Sequence, residues 1–164
     1  FKVTYHMQKD LKIEWFFPHP PGDVWECLTN PEMVGQWLMK NDFKPVVGHR
    51  FNFYTKPMPK MRFDGIVYCE VLEIIPEEKL VYTWKGGPAP GIVELDTLLV
   101  WTLIPAANGT TLVLEHKGFR GFKNMIASIF MNNGWRKGIA RRFRTVLNNY
   151  IHGITASRHL PGNC

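Results

Sequence analysis

The residues able to do chemistry are few and scattered. His116 closes the run "TTLVLEH" and alternates with Leu112 and Leu114, so an imidazole stands on an apolar row. Its ordinary pKa near neutrality suits it to proton transfer, to a ligand hydrogen bond, or to a satisfied place in a core. Tyr82 could offer a phenol to the same kind of acid–base work. Arg136 falls inside the apolar arc of a helical stretch. A guanidinium there fits a carboxylate or phosphate head group at a cavity mouth, and equally fits an exposed first helical turn. Asp64, Glu70 and Glu73 lie along one expected strand but not on one face, so they read as solvated edges and not as a paired acid and base. No GxSxG, P-loop or GxGxxG occurs, and no catalytic residue is assigned. His6, His19, His49, His152 and His159 lack ligand spacing, and neither HExxH nor CxxC is present, so neither a metal nor a cofactor is expected.

The aromatic residues carry more information. Trp37, Phe53, Tyr82, Trp84, Trp101 and Trp135 are bulky, and each taken alone reads as core packing. Together they suit the wall of an apolar cavity, because large rings leave voids unless small residues interleave. With His116 and Arg136 they make the candidate ligand-binding set. Trp101 shares parity with Val93, Leu95, Leu99 and Leu103, and Tyr82 shares it with Trp84, so these rings point inward.

These side chains need elements to hold them. "LKIEWFFP" (Leu11 to Pro18) alternates and stops at prolines, a first strand. Two short helices follow, Asp23–Thr29 and Pro31–Met39. The break between them is Asn30-Pro31-Glu32: an N-cap, a first helical proline and a first-turn acid. From Val47 the pattern is strand-like: "HRFNFYT", "MRFDGIVYCEVLEII" from Met61 to Ile75, "KLVYTW", "IVELDTLLVWTLI" and, after the hairpin signal Asn108-Gly109, "TTLVLEHKGF". That makes about six strands, consecutive and antiparallel. "FKNMIASIF" then puts Phe122, Met125, Ile126, Ile129 and Phe130 on one helical face. Asn132-Asn133-Gly134 reads as a break, and Gly118, Gly121 and Gly134 as hinges of a lid. "GWRKGIARRFRTVLNNYIHGI" is the longest helix.

At 164 residues with no linker, repeat or low-complexity segment, the chain is expected to be one domain over 1–164, with a core from about 10 to 155. No signal peptide and no apolar run of spanning length is seen, so stable membrane insertion is not expected. Cys27, Cys69 and Cys164 are odd in number and far apart, which suits reduced thiols and a cytoplasmic location. The net charge of +6 gathers partly in "RKGIARRFR". Without a groove-reading or base-stacking motif this reads as a solvated helix face, and nucleic acid is not an expected partner.

The order of strand, two short helices, strands and long helix resembles the helix-grip fold of the START/SRPBCC superfamily, an α+β class. More narrowly the chain is similar to the activator of heat-shock protein 90 ATPase homologue-like family. The residues that carry this are Val24-Trp25, Leu28-Thr29, "NPEMVGQWL", "PVVGHRF", Gly65, "LVYTW", "VWTLIPAANGTTLVLEHKGF" and Gly134-Trp135. The resemblance implies a curved antiparallel sheet wrapped around a long C-terminal helix, with two short helices closing one end and a cavity between. Members of the superfamily carry lipids, sterols or hormones, cyclise polyketides or bind chaperones; the expectation for this chain is binding of a hydrophobic or amphipathic small molecule, lipid included, without covalent chemistry, as a monomer or homodimer. A chaperone-interacting module of the stress response ranks second, although the separate amino-terminal domain of eukaryotic chaperone activators is not expected here. A cyclase- or hydrolase-type cavity enzyme ranks third.

Overall fold

The computed structural model describes the backbone of residues 8–159. His6 and Cys164 lie outside the described residues, as do the side chains of Phe122 and His159. Strand β1 (Gln8–Phe17) leads into helices α1 (Pro21–Thr29) and α2 (Pro31–Trp37), then β2 (Lys40–Asn41), β3 (Arg50–Tyr54), β4 (Ile66–Ile75), β5 (Lys79–Gly86), β6 (Leu95–Ala106) and β7 (Gly109–Arg120). Helix α3 (Phe122–Gly134), a π turn (Trp135–Ile139) and α4 (Ala140–His159) complete the chain. One antiparallel sheet of seven strands runs in the order β1-β7-β6-β5-β4-β3-β2, so β1 and the two-residue β2 form its edges. The strand beyond the six expected is β2, too short to show a period of two.

The break between α1 and α2 is built as its residues dictate. Asn30 Oδ1 accepts from the Glu32 and Met33 N–H groups at 3.0 and 3.3 Å, and its Nδ2 donates to Glu26 at 2.9 Å. Trp37 Nε1–H donates to the Cys27 carbonyl at 2.9 Å, which pins α2 against α1. Arg142 donates from α4 to the Trp37 carbonyl at 3.1 Å, so the helix pair is tied to the long helix. Helix α2 ends at Trp37, two residues before the expected end. Replacing Asn30 with Ala should lower the unfolding free energy by about 1 kcal/mol, the usual value of an N-cap. Urea denaturation at neutral pH measures it, and an unchanged midpoint would mean that the cap contributes nothing.

Two strand starts differ from expectation. β4 begins at Ile66, because Gly65 (φ 88°) would place a Cβ 2.5 Å from the Thr55 carbonyl, and Met58–Phe63 forms a compact turn around a 3₁₀ segment, Pro59–Met61. Asp64 therefore stands outside the strand. β6 begins at Leu95, leaving Val93 outside the ladder and exposed. The β6–β7 hairpin pairs Ala106 with Gly109, so its two loop residues are Ala107 and Asn108, one position earlier than the Asn-Gly signal suggests.

The largest correction concerns the long helix. No break occurs at Asn132–Gly134. Gly134 is helical (φ −61°), and α3 runs through the π turn into α4. Glycine costs a helix only about 1 kcal/mol, which the packing of Met131, Trp135 and Ile139 on the core outweighs. A π turn inserts roughly one extra residue, so everything before it is offset by about 100° from the α4 wheel. Trp135 thereby takes the inward azimuth that an unbroken wheel gives Arg136, and it is buried. Arg136 is turned outward, where its Nε donates to Asn132 and its Nη2 reaches within 3.5 Å of the Lys12 carbonyl on edge strand β1. Ile126, Ile129 and Phe130 of α3 are each more than half exposed. The expected apolar face of this segment is therefore largely open to solvent, with Phe130 at the edge of the cavity.

Candidate functional site

The predicted inward rows of the sheet are buried as their alternation requires: Tyr82 and Trp84 on β5, Leu99, Trp101 and Leu103 on β6, Leu112, Leu114 and His116 on β7. Their rings pack on one another. Trp101 meets Trp37 and Trp135 edge-on, with centroids 5.8 Å apart in both cases, and Trp84 lies 5.7 Å from Trp135 and 5.5 Å from Phe53. Such tilted and edge-to-face contacts are the favoured geometry for quadrupolar rings. Trp101 Nε1–H donates to the Tyr82 hydroxyl at 3.1 Å. Burial pushes the Tyr82 phenol well above its ordinary pKa.

His116 sits inside this cluster with both nitrogens engaged. Trp135 Nε1–H donates to Nδ1 at 3.2 Å, so Nδ1 is the bare nitrogen and Nε2 carries the proton. Nε2–H points at Thr97 Oγ1, 2.8 Å away, and that hydroxyl donates to the Trp84 carbonyl at 2.7 Å. The relay spans β5, β6, β7 and the π turn, and its polar atoms are partnered. Burial pushes the imidazole down to about 3. The ring is therefore neutral at physiological pH, with no lone pair facing open space and no place in a cavity wall.

A cavity of about 300 Å³ lies beside this cluster, between α3 and the sheet's β4–β5 half. Its wall is apolar: Met39, Met131, Phe63, Leu95, Trp84 and Trp135 among others. Met58 and Met61 of the 3₁₀ turn and Phe130 of α3 flank its opening and are exposed there. Of the eight sequence-predicted site residues, Trp84 and Trp135 line the cavity. Trp37, Phe53, Tyr82, Trp101 and His116 lie behind them in the packed core, and Arg136 is on the far flank of the helix, away from the opening. The residues that sequence reasoning did not find are the methionines, Phe63, and the rim pair Arg62 and Glu94. One signal was available for them: "KPMPKMRFDG" contains two prolines and a glycine, which marks a turn and not the start of a strand.

Three comparisons bear on this architecture. Residues 18–148 match the family described as Activator of Hsp90 ATPase homolog 1-like protein. The chain belongs to that family. Among solved structures it is similar to protein MLL2253 from Mesorhizobium loti, with 34% identity over 86% of this chain and 98% of that one and a TM-score of 0.75. It shares its fold with CalU16 from Micromonospora echinospora, at 18% identity, 92% and 83% coverage and a TM-score of 0.65. It also shares its fold with DynU16, a protein of the dynemicin biosynthetic locus, at 21% identity and a TM-score of 0.63. There the match covers 87% of this chain and 47% of DynU16, so the chain spans about half of that relative's length. No curated protein matches the chain. The family assignment agrees with the helix-grip architecture, in which the cavity lies between the sheet and the C-terminal helix. Among the described residues no group of His, Cys, Asp and Glu could hold a metal ion, and no helix is long and apolar enough to cross a membrane.

Proposed function

We propose that the protein binds a hydrophobic or amphipathic small molecule, lipid-like in character, in the cavity between α3 and the sheet, without covalent chemistry. The observation that carries this reading is the cavity itself. Its volume reaches the lower end of the range for small-molecule sites, and its wall is apolar with a few polar groups at the rim. Four methionines, Met39, Met58, Met61 and Met131, line it, and their flexible thioethers can mould to a ligand. The engaged nitrogens of His116 argue against acid–base catalysis by that residue. The place of DynU16 in a biosynthetic locus supports a small organic occupant. In this reading the protein works in the cytoplasm, which the buried free thiols of Cys27 and Cys69 favour.

Titration with decanol should change the emission of Trp84 and Trp135, which form the inner wall. Ala127→Trp places an indole in the cavity and should weaken binding at least tenfold, about 1.4 kcal/mol. Equal binding by the variant, or no binding of any apolar chain by the native protein, would reject the reading.

One observation favours a second reading. Ile126, Ile129 and Phe130 form an exposed apolar stripe on α3, and the family is named for activation of a chaperone ATPase. A stress-response module would dock that stripe on heat-shock protein 90. Stimulation of the chaperone's ATPase, lost in Ile129→Asp, is the expected result, and no stimulation removes this reading.

A further inference from the structure

Four charged side chains stand on the cavity's mostly apolar lining: Arg62, Lys85, Lys123 and Glu94. Arg62 is paired with Glu94, and Lys85 with Asp96 at 3.7 Å just outside the lining, so Lys123 leaves the rim with a net positive charge that favours a negative group. The Arg62 guanidinium makes the most side-chain hydrogen bonds of the four. Its Nε lies 2.9 Å from both carboxylate oxygens of Glu94, and its Nη2 lies 2.6 Å from one of them. Arg62 occupies the left-handed region (φ 52°), which a side chain other than glycine adopts at some cost and which recurs at ligand clamps. The turn that holds it also carries Met58 and Met61 at the opening. On the other side of the pair, the Glu94 carbonyl accepts from Asn124 of α3 at 3.1 Å. The fork therefore stands where the apolar interior meets solvent, joining the turn, the β5–β6 connection and α3.

Glu94 shows by its own geometry that a carboxylate fits this fork. The pair is open to solvent, so water can meet both groups as it separates. Lys123 lies close enough for its charge to act on the Glu94 carboxylate, and it offers that carboxylate a second partner once displaced.

We propose that Arg62 is the head-group site of the cavity, and that the ligand is an amphipath with an anionic end that takes the fork from Glu94. Its chain lies along Trp84 and Met131. The inference rests on the small-molecule reading above and adds the ligand's charge class. Carboxylate, sulfate and phosphate ends share the required chemistry, two oxygens able to accept from one guanidinium.

The test is calorimetry with decanoate, decyl sulfate, decyl phosphate, decanol and decylammonium, each below its aggregation concentration. It uses the native protein, Arg62→Gln and Glu94→Gln. In the native protein the anionic chains should bind about tenfold more tightly than decanol, and decylammonium more weakly than decanol. Arg62→Gln should remove the anionic preference while leaving decanol within about twofold. Glu94→Gln, which frees the fork, should strengthen anion binding several-fold. The order among the three anions identifies the head group. Equal affinity for decanoate and decanol, or an anionic preference that survives in Arg62→Gln, overturns the assignment and leaves the cavity reading intact. Failure of decanol to bind as well overturns both. Both substitutions are on the surface, and unchanged melting temperatures separate lost recognition from lost fold.

Discussion

Lowering the pH from 7 toward 4 should destabilise the native protein steeply, and His116→Gln should flatten that slope. In the unfolded chain His116 titrates at about 6.5, whereas burial holds the folded ring down to about 3. Between those values the unfolded state takes up a proton that the folded state refuses. The stabilising contribution is fully present above pH 6.5 and is lost as pH falls through the window. The slope approaches about 1.4 kcal/mol per pH unit, and the full window is worth on the order of 5 kcal/mol. That is comparable with the whole stability of many domains. Geometry adds to burial: a proton on Nδ1 would face the Trp135 N–H, two donors with no acceptor between them.

Urea denaturation of both proteins at pH 7, 6, 5 and 4 measures the effect. At pH 7 His116→Gln should be less stable by about 1–3 kcal/mol, since glutamine remakes the bonds to Trp135 and Thr97 imperfectly. Toward pH 4 the two curves should converge. Carboxylates that titrate in the same window contribute to both proteins and cancel in the difference. Parallel curves would mean that His116 is protonated in the fold or not coupled to it.

What could be read from the chain, and what could not, follows from the range of the interactions. Asn30-Pro31-Glu32 decides the α1–α2 break within three residues, and Tyr82, Trp84, Trp101 and His116 declare their face by alternation alone. The two short helices, the antiparallel sheet and the final helix were legible for that reason. The π turn was not. Nothing in "GWRKGI" announces an inserted residue, and its justification lies in Trp135 reaching His116 on β7. The inserted residue is why Arg136, inward on an unbroken wheel, faces outward in the fold. The cavity was expected, but its walls were mostly misassigned. Aromatic residues on strands fill space against one another, so Trp37, Phe53, Tyr82 and Trp101 became core. The open volume is bordered instead by one flank of α3 and by a turn, Met58–Phe63, which carries no period to read.

That division between core and wall leads to the second large effect. Trp101 is 1% exposed and contacts Trp15, Trp37 and Trp135 while donating to Tyr82. Trp101→Ala should lower the unfolding free energy by about 3–5 kcal/mol, because the rings around it belong to four separate elements and cannot all close in on the void. For a chain of this length that corresponds to a fall in Tm of roughly 10 °C or more. Trp101→Phe keeps much of the contact and loses the bond to Tyr82, so about 1–2 kcal/mol is expected. Trp84 is nearly as buried, yet one side of it faces the cavity. Removing its ring merges a new void with an existing one. Trp84→Ala should therefore shift ligand selectivity toward longer chains and change decanol affinity about tenfold. Trp101→Ala, at a temperature where it remains folded, should bind decanol within about threefold of the native protein. Calorimetric melts with a decanol-to-hexadecanol series on both variants make the comparison. If Trp101→Ala alters chain-length preference and Trp84→Ala does not, then the ligand enters between Trp37 and Trp101, and Trp84 is not part of the binding wall.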